Sequence, residues 1–166
     1  TAVPWATGIP DVPLSSLVSG VRYLLAVRVR FSGAPATTAT SLECQAITTL
    51  GDYSGTWGAP AGGSAFDWTT LVLYTAKTDG SVINTAEFVT NSGGGVRVAG
   101  AFNSDSTPNG AVLLSGQESE LWFAVKPTAS AVGKRVVFRL VSTSVGHYAG
   151  SVFDTGLTAW TPVISS

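Results

Sequence analysis

Side chains able to hold metals, move protons or attack carbonyls are scarce in this sequence. Its one histidine is His147, in the run Val145-Gly146-His147-Tyr148. A Ser/His/Asp arrangement would need Ser and Asp partners from elsewhere and a nucleophile elbow, a pattern the chain lacks. The one cysteine, Cys44, excludes an internal disulfide and a thiolate cluster. It stands in phase with Leu42 and Ala46 and reads as a small buried hydrophobe. With one His and one Cys, zinc would need carboxylates for its other ligands. Asp52, Asp67, Asp79, Asp105 and Asp154 stand singly, and no EF-hand spacing joins them.

Glu118 and Glu120 are the one carboxylate pair with useful spacing. On a strand they share a face about 7 Å apart, at roughly 3.3 Å per residue. That separation suits acid/base work on a glycosidic bond. The plainer reading is a solvated strand start, paired with Arg135 or Arg139 on an adjacent strand. No supporting constellation surrounds the pair, so the expectation is a chain that is not an enzyme and takes no cofactor.

Five tryptophans (Trp5, Trp57, Trp68, Trp122 and Trp160) raise a second kind of chemistry, since flat aromatics stack on sugar rings. Trp57 and Trp68 flank a loop rich in Gly, Ala and Pro, where surface aromatics would be presented. Aromatics equally fill cores and subunit interfaces, and few side-chain amides accompany these to bind sugar hydroxyls.

The elements that must position these residues follow a period of two. From 22 to 31, Tyr23, Leu25, Val27, Val29 and Phe31 alternate with Arg22, Leu24, Ala26, Arg28 and Arg30. The stretch 120–126 puts Leu121, Phe123 and Val125 on one face, and 135–141 does the same with Val136, Phe138 and Leu140. The expected core is Tyr23, Leu25, Val27, Val29, Phe31, Leu121, Phe123, Val136, Phe138 and Leu140. Weaker strands are read at 41–48, 69–75, 85–90, 96–102, 111–115 and 158–164. Asp79-Gly80 and Asn109-Gly110 read as hairpin turns, and Gly93-Gly94-Gly95 demands a positive φ or a bulge. Val132-Gly133 links the second and third strong strands as an expected antiparallel pair. A helical turn fits 13–19, and 50–67 reads as a long ordered loop. The expected fold class is all-β: an antiparallel β-sandwich or jelly roll of about nine strands, spanning 14–166 as one domain.

Residues 1–13 stand apart as an extended N-terminal arm. Pro4, Pro10 and Pro13 rule out a helix or a central strand. Val3, Trp5, Ile9 and Val12 nevertheless need apolar cover, so the arm is expected to dock on its own domain or on a neighbour.

Composition narrows the partners. Nine Lys plus Arg against ten Asp plus Glu leave a net charge of -1, which gives no electrostatic footprint for nucleic acid or an anionic membrane. The apolar runs are too short to span a bilayer. Charged residues make up only 11% of the chain, while 20 Thr and 19 Ser supply most of the polar surface. Such a surface is expected where other subunits cover it, since free proteins keep apart by charge. No Met opens the chain, so processing of an initiator or a leader is expected.

The run Val27-Arg28-Val29-Arg30-Phe31 before a Gly/Ala/Thr loop is one half of a wider pattern. The other half is Glu118-Ser119-Glu120-Leu121-Trp122-Phe123, then Ala131-Val132-Gly133 and Phe138-Arg139-Leu140-Val141. Together they resemble β-sandwich modules of bacterial and archaeal surface proteins and extracellular filaments, and also phage capsid decoration proteins. The resemblance implies assembly by strand complementation or trimeric contacts, without a reaction. The expectation is a structural subunit, extracellular or on the cell surface, that self-assembles with copies of itself by exchanging strands or arms. The alternatives are a capsid or capsid-decoration protein on a virion surface, bound to a capsid shell, and a carbohydrate-binding module for a cell-surface glycan.

Overall fold

A computed structural model describes residues 16–30, 36–37, 40–48, 54–70, 77–88, 94–110, 112–142, 146–147 and 163–166. The arm residues Val3, Trp5, Ile9 and Val12 lie outside the described residues, as do Phe31, Trp160 and most of the segments read as strands at 69–75 and 158–164.

In chain order the strands are β1 (Leu17–Val18), β2 (Tyr23–Arg30), β3 (Ala36–Thr37), β4 (Thr40–Ile47), β5 (Phe66–Trp68), β6 (Val82–Ile83) and β7 (Val96–Arg97). There follow β8 (Gly100–Asn103), β9 (Val112–Leu113), β10 (Gln117–Pro127), β11 (Arg135–Ser142), β12 (Gly146–His147) and β13 (Ile164–Ser165). The only helical pieces among the described residues are 3-10 turns at Thr85–Glu87 and Ala129–Ala131. The fold is all-β.

β10 is the spine of the largest sheet. β2 pairs along one edge, antiparallel, from Glu118↔Arg30 to Val125↔Tyr23. Three short strands share the other edge: β7 and β8 run parallel to β10, and β5 antiparallel. β6 lies beyond β8. The second sheet has the order β12-β11-β4, with Phe138 opposite Cys44. The largest sheet is therefore mixed and the second antiparallel, so the purely antiparallel expectation is corrected. Parallel neighbours need a crossover; residues 104–116 supply it for β8 and β10, with β9 leaving to pair β3 on the way.

That crossover also corrects the reading of Asn109-Gly110, which closes no hairpin between its flanking strands. β10 and β11 were expected to pair, yet they belong to different sheets. The 3-10 turn at Ala129–Ala131 and Gly133, at φ 76°, redirect the chain from one sheet to the other. The stretch 85–90 begins as a 3-10 turn, because Asn84 and Glu87 form a reciprocal capping box that closes it. At 17–18 the expected helical turn is a strand, parallel to β13.

One apolar cluster gathers side chains from both larger sheets. Tyr23, Val29, Leu121, Phe123 and Val125 meet Leu42, Cys44, Val136, Phe138 and Leu140, with Leu25 and Val27 packed alongside. Phe66 meets Phe138 edge-on, ring centroids 4.9 Å apart. The alternation read from the sequence thus selects the buried face correctly. The opposite face of β10 is covered as well: Trp122 and Ala124 join Ile83 and Phe102, with Leu24, Ala26 and Phe88 against them.

Candidate functional site

Glu118 and Glu120 sit on that second buried face and are 1% and 0% exposed. The β2–β10 register sets Arg30 opposite Glu118 and Arg28 opposite Glu120. Across the other edge, Arg97 Nε reaches Glu118 Oε1 at 3.4 Å, and the Gly95 N–H donates to Glu118 Oε2 at 3.3 Å. The Trp122 indole N–H donates to Glu120 Oε1. The Arg97 guanidinium also lies 5.5 Å above the Phe88 ring centroid. The solvated strand start paired with Arg135 or Arg139 is corrected, since those arginines belong to β11 in the other sheet. The layer ties β2, β7 and β10 together. Both carboxylates are covered by the fold, and Glu118 takes its partners from residues 95 and 97 across the sheet. Buried charges are tolerated only where partners of this kind replace water.

The tryptophans of the long loop take different positions. Trp57 is half-buried beneath Arg139, whose guanidinium carbon is 4.4 Å from the ring centroid. Arg139 is held from the side by Glu43, its cross-strand neighbour. Cys44 exchanges backbone hydrogen bonds with Gly58, at 2.8 and 3.2 Å, which lays this part of the loop along β4. Trp68 is half-buried on β5 and packs on Phe123, ring centroids 6.5 Å apart. One face of Trp57 is thereby capped by a cation, and Trp68 belongs to the margin of the core.

Among the described residues no group of three His, Cys, Asp or Glu could hold a metal ion. Asp67 pairs with Lys126 at 3.6 Å, and Asp105 accepts the Thr107 N–H. Asp79 binds the Ser104 N–H at 2.7 Å and the Asn109 side-chain amide at 2.6 Å. Asp52 and Asp154 lie outside the described residues. His147 is on β12, opposite Val141.

Burial pushes the Cys44 thiol up from an ordinary 9.0 to about 11, and the nearby Glu43 charge adds to the rise. A hydrogen bond with the Phe66 backbone opposes it. Alkylation of folded protein at neutral pH is therefore expected to fail, and to proceed once denaturant is added. Because the folded thiol is the harder to ionise, its contribution to stability is complete below the unfolded value. That contribution is lost as the pH climbs through about 11. A mass spectrum after iodoacetamide treatment checks the first point, and a denaturation series across alkaline pH checks the second.

What the sequence reading missed is the placement of exposed apolar side chains. Val82, Val96 and Val112 are 56%, 67% and 62% exposed, each on a two-residue strand that pairs with one described strand. Leu114 is 50% exposed in the turn that leads into β10. A run of two residues has too little alternation to mark a strand edge, so only the structure exposes this pattern.

The fold and these surfaces define an all-β protein with two larger sheets around a common core and apolar margins. Comparison with protein-family models, with curated proteins and with solved structures finds no match.

Proposed function

We propose that the chain is a structural subunit that assembles with copies of itself, its two larger sheets forming a β-sandwich of the jelly-roll kind. The observation that carries this reading is the exposure of Val82, Val96 and Val112 at sheet margins. Solitary soluble domains guard such margins with charge or proline. Here each carries an exposed valine, with the Lys77 ammonium reaching the Val82 carbonyl at one of them, in a chain whose charged residues are only 11% of the total. Contacts between copies would cover them, and the arm at 1–13 supplies a second, apolar means of attachment through Val3, Trp5, Ile9 and Val12. An arm of this composition, added to a neighbour's sheet, joins subunits by backbone hydrogen bonds and side-chain pockets. A head-to-tail contact of that kind propagates into a filament or closes a ring. The setting that suits this role is extracellular or cell-surface, with a virion shell as the alternative.

Deletion of residues 1–13 tests the arm. The expected product is a folded monomer that no longer forms polymer by size-exclusion chromatography and negative-stain microscopy. Undiminished assembly would remove the arm from the scheme. An electron micrograph of native material separates filament from shell, and dispersed monomers at high concentration would overturn self-assembly itself.

A further inference from the structure

Asn109 and Gly110 lie in the crossover from β8 to β10, and their chemistry is not used by the proposed assembly. The Asn109 side chain joins two parts of the fold. Its amide nitrogen donates to Asp79 Oδ2 at 2.6 Å and to the Thr107 carbonyl at 3.1 Å. Its backbone N–H donates to Asn103 Oδ1 at 2.9 Å. Asn103 is itself buried and donates to the Trp122 carbonyl at 3.4 Å, on the spine strand. Asp79 holds the Ser104 N–H, and the Gly80 N–H donates to the Phe102 carbonyl. Asp79 thus locks the 78–81 turn onto the 103–109 loop through two donors, the Ser104 N–H and the Asn109 side-chain amide.

We infer that Asn109 is a self-modification site, converted to Asp or isoaspartate in the folded protein, and that the conversion loosens this lock by removing one of its two donors. The residue after Asn109 is an exposed glycine, with no side chain to obstruct ring closure. The other three asparagines, Asn84, Asn91 and Asn103, precede Thr, Ser and Ser. In the reaction the Gly110 backbone nitrogen gives up its proton and attacks Asn109 Cγ. A new N–Cγ bond closes a cyclic imide, and the Cγ–Nδ2 bond breaks. The amide nitrogen departs as ammonia, carrying the proton. Water, the one co-reactant, then opens the imide at either carbonyl. No electrons change hands.

The product matters because of Asp79. An oxygen takes the place of the amide nitrogen, the donor to Asp79 Oδ2 is lost, and two carboxylates face each other at hydrogen-bond distance. Like charges so placed repel, and the Thr107 carbonyl loses its donor too. An isoaspartyl product additionally lengthens the backbone, which displaces the N–H that Asn103 holds.

The test is long incubation of the folded full-length chain at neutral and mildly alkaline pH, followed by peptide mapping. Mass and isoaspartate detection report the conversion. The expected result is conversion confined to Asn109, faster at the higher pH and several-fold slower in Gly110→Ala. The converted fraction, isolated by ion exchange, and Asn109→Asp made directly should both show faster hydrogen exchange at 78–81 and 103–109, with β11 unchanged. If Asn109 stays intact in folded protein while denatured chain converts, the lock protects the site and the inference is wrong. Conversion without any change in exchange would equally overturn the link to Asp79. Neither readout depends on whether subunits assemble.

Discussion

Replacing Phe138 with Ala is expected to cost about 3–5 kcal/mol, the usual cost of a large cavity in a packed core. Phe138 is central to β11, faces the common core, and meets Phe66 edge-on at 4.9 Å. Its cross-strand neighbour is Cys44, too small to collapse into the space. Domains of this size have about 5–15 kcal/mol in total, so the variant should melt far lower or not fold. Thermal or urea denaturation gives the answer. A melting temperature equal to the parent's would show that the two sheets do not share this core.

A substitution of the opposite kind should be nearly as damaging. Gly100 begins β8, where it runs beside the spine strand. A methyl group built there would lie on the Glu120 carbonyl oxygen and within 3.1 Å of the Ser119 hydroxyl. The obstacle is backbone, which cannot rotate aside as a side chain can. Gly100→Ala is expected to cost roughly the upper part of the 1–3 kcal/mol range for overpacking, through loss of the β8–β10 pairing. Hydrogen exchange should locate the damage at 100–103 and at the facing residues 121–123. Gly62→Ala is the control, since nothing lies within 4 Å of the added carbon. Its effect should stay within about 0.5 kcal/mol.

How far the sequence could be read depends on the range of the contacts concerned. In β2, β10 and β11 the alternation is long enough to identify the core face, and Tyr23, Phe123 and Phe138 fall where it puts them. Turn chemistry was legible only where a residue had local work: Gly80 and Gly94 adopt φ of 78° and 85°. Asn109-Gly110 looks the same in sequence, but its partners Asp79 and Asn103 are set by the tertiary fold. Short spacing suggested pairing of β10 with β11, whereas burying both apolar faces required them to stand on opposite sides of one core. Glu118 and Glu120 misled for a related reason. Alternating acids look solvated unless one knows that Arg28 and Arg30, far away in the chain, are their register partners.

The pairing of β1 with β13 has a mechanical consequence. Leu17 lies beside Ile164 in parallel, and the Ser19 N–H donates to the Ser165 carbonyl at 2.9 Å. Ile164 is gripped on its other edge too: its carbonyl accepts from the Gly133 N–H, and its own N–H donates to the Lys134 carbonyl. Tension applied ahead of Leu17 and beyond Ser165 therefore pulls this small clamp in shear. Its hydrogen bonds carry the load together and do not unzip one after another, and the strain passes sideways through the 132–134 turn before it reaches the core.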